Sequence, residues 1–169
     1  MIAALKQLAG GRFAPASVDG LEPRPAYWRV RPGEIGAVCE SVRRGRSEVI
    51  ARTPGGFPVY AVFYGDFSEP PPQTNWSAGS SSTSDSSYFR RAGLPPTVVW
   101  CAGIHGAEAE SVAFAVNLIE LLEHGTDLLG RSHERLVSLL GHYRLIVLPC
   151  VNMDGRSISP DHLRGMPYE

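Results

Sequence analysis

Between Thr97 and Leu122 the hydrophobic pattern changes from the period of a strand to that of a helix, and the change falls on a glycine-flanked histidine. Val98, Val99 and Trp100 are β-branched or aromatic, with Pro95 and Pro96 before them and Gly103 after, which predicts a short buried strand. From Ala107 onward, Ala109, Val112, Ala113, Val116, Ile119 and Leu122 recur at three and four. Glu110, Asn117, Glu120 and His124 form one narrow polar stripe, so a mostly buried helix is expected. A strand that runs straight into a helix belongs to an α/β sheet, and ligands of such sheets gather at the carboxyl ends of the strands. His105 and Glu108, in the segment AGIHGAEAE, occupy that turn. Gly103 and Gly106 allow the backbone to bend sharply and leave the imidazole uncovered.

A neutral imidazole and a carboxylate three residues apart can converge on one ion, and Zn²⁺ accepts both nitrogen and oxygen donors. The same pair also reads as a turn histidine bonded to a nearby carbonyl and a first-turn carboxylate favoured by the helix dipole. His-x-x-Glu separates these readings only through its structural context.

That context begins upstream. Pro32 can open a helix at its first position, Ile35, Val38, Cys39 and Val42 form an apolar stripe, and Gly45 can close it. Residues 48–53 and 57–64 read as strands around Pro54-Gly55-Gly56, which predicts a hairpin. In the second strand Phe57, Val59, Ala61 and Phe63 alternate with Tyr60, Val62 and Tyr64, so both faces are apolar, as in a strand covered on both sides. Downstream of the central helix, Ser132 is placed to cap a short helix carrying Leu136, Leu139 and Leu140, with Gly141 ending it. Leu145 to Leu148 make the next buried strand. It is joined to the first through helix, as a parallel crossover requires. Residues 1–30 form an irregular lead-in. Residues 66–96, with PPP and GSSSTSDSS, form a low-complexity loop whose composition favours disorder.

The chain of 169 residues suits one domain of ordinary size. Its net charge of −1, with both signs interspersed, leaves no basic field for nucleic acid. No apolar run approaches the ~20 residues of a membrane span. The start, MIAALKQLAGGRF, has too short an apolar stretch for a signal peptide, so a cytoplasmic protein without a membrane partner is expected. Cys39, Cys101 and Cys150 lack Cys-x-x-Cys spacing and read as buried reduced thiols, with Cys101 and Cys150 close together near two strand ends. His124, His133, His142 and His162 have no carboxylate at obvious ligand spacing. The first three read as exposed or cap histidines near helix ends.

AGIHGAEAE after one apolar strand, and LPCVNMDGR after a second some forty residues later, resemble the zinc carboxypeptidase family of metallopeptidases. The family carries a His-x-x-Glu zinc motif and an Asn-Pro-Asp-Gly turn. Here the turn is Asn152-Met153-Asp154-Gly155, with methionine in place of proline. The resemblance covers roughly residues 31–169. It implies a three-layer αβα sandwich with a mixed, largely parallel sheet, Zn²⁺ as cofactor, His105 and Glu108 as metal ligands, and a peptide substrate. It places Arg164 near the arginine that polarises the scissile carbonyl and stabilises the oxyanion, a task that suits a permanently charged guanidinium. Arg156, directly after the turn, competes for that role, and either arginine also reads as a plain surface residue.

The family's third zinc ligand, its general-base glutamate and the groups that grip a terminal carboxylate find no counterpart in these residues. The expectation is the amino-terminal part of such a catalytic domain, inactive alone. A catalytic zinc takes three protein ligands and an open position, and losing one ligand weakens affinity on the order of a hundredfold or more. Amidohydrolases that cleave N-acyl amino acids, the aspartoacylase and succinylglutamate desuccinylase group, carry a similar Gly-x-His-Gly-x-Glu segment, so N-acyl amino acids are the alternative substrate class. A non-catalytic α/β remnant, with the histidine turn serving only as a tight junction, is the third reading.

Overall fold

A computed structural model describes residues 27–67, 95–127 and 129–159. The lead-in up to residue 26, most of the loop at 66–96, and both Arg164 and His162 lie outside the described residues. Helix α1 spans Pro32–Ser41 and strands β1 and β2 span Arg46–Arg52 and Pro58–Tyr64. Strand β3, Thr97–Cys101, leads to helix α2, Ala109–His124. Helix α3, Glu134–Ser138, is extended by a 3₁₀ turn at Leu139–Gly141, and strand β4, Arg144–Leu148, precedes the short helix α4, Met153–Ile158. No described helix is long and apolar enough to cross a membrane.

The four strands form one sheet in the order β1-β2-β4-β3. The predicted hairpin is present as the antiparallel β1-β2 pair, with a bulge between Val49 and Ala51. β4 then lies antiparallel to β2 and parallel to β3, with Val98 opposite Leu145 and Trp100 opposite Val147. The sheet is mixed, as the resemblance implies, and its parallel part is the pair that carries the two motifs.

Register decides which side chains share a face. Tyr60, Val62 and Tyr64 of β2 fall in one row with Leu145 and Val147 of β4 and with Val98 and Trp100 of β3. Both longer helices meet this row. The Tyr60 hydroxyl donates to Glu40 at the end of α1 (2.8 Å), and the Tyr64 hydroxyl donates to Glu123 near the end of α2 (2.9 Å). The Trp100 and Phe114 rings pack at 4.7 Å between centroids. Val62, Val112, Val116, Ile119 and Val147 are fully buried between the layers. Each such side chain contributes about 1.5–3 kcal/mol through removal from water. The opposite row holds Phe63, with the Arg46 guanidinium 4.4 Å above its ring and Phe67 edge-on at 5.4 Å. The same row holds Val59 and Ala61, both buried.

Three expectations need correcting. Among the described residues β3 is not buried: it is the last strand in the sheet order, with one strand beside it, and Val99 is 55% exposed. Helix α1 does not run to Gly45. It ends at Ser41, and the chain then turns around the Glu123 carboxylate, which accepts the N–H groups of Arg43 (2.7 Å), Arg44 (2.9 Å) and Gly45 (3.1 Å). Gly45 is required there because a Cβ would come 2.7 Å from the Tyr64 ring. Ser132 does not cap α3; it forms an isolated bridge with Thr126, and His133 precedes the helix instead.

Candidate metal centre

Beyond their last paired residues, β3 and β4 stay in contact. The Ala102 N–H donates to Leu148 O (2.9 Å), the Val151 N–H to Ala102 O (3.0 Å) and the Asn152 N–H to Gly103 O (3.0 Å). Gly103 then turns the chain with φ +59°, where a Cβ would also meet the Cys150 Sγ at 2.7 Å. Its N–H donates to the Ser111 hydroxyl (3.1 Å), which donates in turn to Glu108 O (2.9 Å). The loop carrying His105 is thereby fastened to α2 on one side and to the β4-α4 turn on the other.

That turn is itself cross-linked. Asn152 Oδ1 accepts the Gly155 N–H (2.8 Å), capping α4, while Asn152 Nδ2 donates to Ile104 O (3.3 Å). Asp154 accepts the Thr53 hydroxyl (2.7 Å) and the Gly55 N–H (3.1 Å), which brings the β1-β2 hairpin turn to the same end of the sheet.

On this frame His105 Nδ1 and Glu108 Oε1 lie 2.6 Å apart, with the two side chains 77% and 52% exposed. The His105 N–H also faces Glu108 Oε2 at 3.4 Å. The imidazole hydrogen bond holds the Glu108 carboxyl below the usual carboxylate range, helped by the His105 N–H and opposed by desolvation. Glu108 is therefore an anion at neutral pH. One nitrogen and one anionic oxygen, converging and open to solvent, suit zinc in donor type. Two ligand atoms about 2.0–2.2 Å from one ion at a tetrahedral angle stand about 3.4 Å apart, so the pair must open slightly to admit a metal. Among the described residues no group of three or more His, Cys, Asp or Glu side chains is placed to hold one.

The remaining predicted residues fall elsewhere. Arg156 is not at the surface: it is 2% exposed and donates Nη2 to Ser159 O (3.0 Å). Cys39 and Cys150 are buried thiols, pushed up by burial to about 12 and about 11, whereas Cys101 is exposed on the edge strand. Two of the histidines do have carboxylate partners. His124 Nε2 meets Glu120 Oε2 at 3.2 Å, an i,i+4 pair readable on the helix, and His133 Nε2 meets Asp127 Oδ2 at 3.0 Å across a loop. Sequence reasoning also passed over Glu123, which looks like one more polar helix residue but is 9% exposed. Its partners at Arg43 to Gly45 are too distant in the chain to suggest it.

Comparison with known proteins points one way. The family model for zinc carboxypeptidase, peptidase M14, matches residues 49–165. Thrombin activatable fibrinolysis inhibitor is similar in structure at 16% identity with a TM-score of 0.51, over 81% of this chain and 31% of that one. A metallo-carboxypeptidase from Burkholderia cenocepacia is similar at 16% identity with a TM-score of 0.48, over 75% of this chain and 27% of that one. The chain spans less than a third of the length of these structures. No curated protein matches.

Proposed function

This chain belongs to the zinc carboxypeptidase family, and we propose that it contributes the His105 and Glu108 ligands of a zinc-dependent peptide hydrolase. The observation that carries the reading is the convergence of His105 Nδ1 and Glu108 Oε1 in the open at the carboxyl end of β3. Zinc bound there supplies a Lewis acid for the scissile carbonyl and a water acidified to near neutral pH. The chain's own part is to present the ligands. Glu108 arrives ionised because the His105 ring donates a hydrogen bond to it, and Nδ1 can ligate a metal in the tautomer that carries its proton on Nε2 instead. The loop bonds to Ser111 and Asn152 hold the two donors in place. Arg164 is assigned the carbonyl-polarising role on the resemblance alone. The family match favours peptides over N-acyl amino acids as the substrate class.

Zinc titration of the chain, followed on the backbone amide signals by NMR, tests the ligand assignment. His105→Ala and Glu108→Ala should each remove the binding seen in the unchanged protein. Binding that survives both substitutions would defeat the assignment.

A further inference from the structure

The peptide unit joining Ile104 to His105 is held at both ends. Its carbonyl accepts Asn152 Nδ2 (3.3 Å), and its N–H faces Glu108 Oε2 (3.4 Å). Rotation of this plane would swing the imidazole, since it sets the direction in which His105 leaves the backbone. Only one of its two holders lies outside the ligand pair. When the Glu108 carboxylate turns toward an ion, its bond to the His105 N–H is the one at risk, and Asn152 keeps the plane fixed.

The side-chain type follows from the same contacts. Gly155 N–H donates to Oδ1 and Nδ2 donates to Ile104 O, so the amide's orientation is determined from both sides. Aspartate offers two acceptors and no donor; serine supplies the cap without the reach. The neighbouring Asp154 does a separate job, binding Thr53 and Gly55 of the hairpin.

We propose that Asn152 is a positioning residue for the metal centre, acting through the Ile104 carbonyl to aim His105. The proposal rests on His105 and Glu108 being the metal ligands. Groups that orient ligands from outside typically change metal affinity 10- to 100-fold when removed.

The test compares Asn152→Ser, which retains a cap acceptor for Gly155, with Asp154→Asn in the same turn. Zinc affinity is read on the backbone amide signals by NMR, and the thermal midpoint is measured without metal. Asn152→Ser should weaken zinc binding about tenfold or more, while Asp154→Asn leaves it within about twofold whatever its midpoint. Zinc affinity unchanged in Asn152→Ser overturns the proposal. So does an equal loss in Asp154→Asn, because the effect is then general loosening of the turn. Zinc binding indifferent to His105→Ala is a separate result, which defeats the ligand assignment itself and the proposal with it.

Discussion

Gly106 and Gly155, one from each motif, stand back to back, so that a Cβ on Gly106 would lie 2.5 Å from the Gly155 Cα and from the Arg156 nitrogen. Bending is thus the lesser reason for glycine at Gly106. The greater is that the histidine loop and helix α4 approach too closely for any side chain.

Replacing Gly106 with alanine should destabilise the chain by about 1–3 kcal/mol, the usual cost of overpacking where neighbouring backbone cannot yield. Gly33, inside α1 with open space where a Cβ would stand, is the control. Gly33→Ala should be neutral or stabilising by up to about 1 kcal/mol. Urea unfolding of the two variants measures the contrast, and equal stabilities would contradict the close approach.

Glu123 should govern part of the acid limb of stability. Burial opposes its ionisation, but the N–H groups of Arg44, Arg43 and Gly45 and the Tyr64 hydroxyl outweigh burial and lower its pKa. A depressed carboxylate contributes stability that is complete above its unfolded value near 4.5 and is lost as pH falls through the lower folded value. Glu123→Gln should cost about 1–3 kcal/mol at pH 7, because charge-assisted bonds are lost. The same variant should flatten the fall in stability below about pH 4.5, measured by denaturation at stepped pH.

Asp127 organises the loop after α2. It accepts the N–H groups of Leu129 (3.0 Å) and Arg131 (2.9 Å), the Arg131 Nε (2.8 Å) and a bond from His133 (3.0 Å). The Arg131 N–H leads in holding the carboxyl far below its ordinary range, so protonation of Asp127 does not open this loop at mildly acidic pH. Asp127→Ala should release the loop and speed tryptic cleavage after Arg131. Cleavage at an unchanged rate would show that other contacts hold it.

The thiols should divide sharply. Cys101 is exposed, while Cys39 and Cys150 are buried and raised by burial to about 12 and about 11. An aromatic disulfide reagent at pH 8 should modify Cys101 quickly and the other two only on unfolding. Mass spectrometry of the labelled peptides identifies the site.

Local period made the hairpin, α1, α2 and the two motif strands legible, because each pattern lies within one element. What the pattern could not convey was position in the sheet. Val98, Val99 and Trp100 have the composition of a central strand, yet among the described residues the order β1-β2-β4-β3 leaves them at an edge. Glu123 escaped notice because its carboxylate is stabilised by N–H groups 78 to 80 residues away in the chain. At the site, residue types indicated the His105 and Glu108 pair. The role of Asn152 required knowing that the two turns meet. Asp127 and His133, six residues apart, match neither helix nor strand spacing and become partners only through the loop's shape.

The place of β4 between β2 and β3 also orders events during synthesis. The hairpin can close as soon as it emerges, but β3 has no described strand to pair with until β4 follows it. At about 5–20 residues per second, that interval lasts roughly 2–9 s. Throughout it Val98, Val99 and Trp100 form an apolar segment that no other described strand pairs with. The segment that later supports His105 is therefore open to wrong pairing until β4 emerges, and faster translation between β3 and β4 should raise the yield of soluble protein.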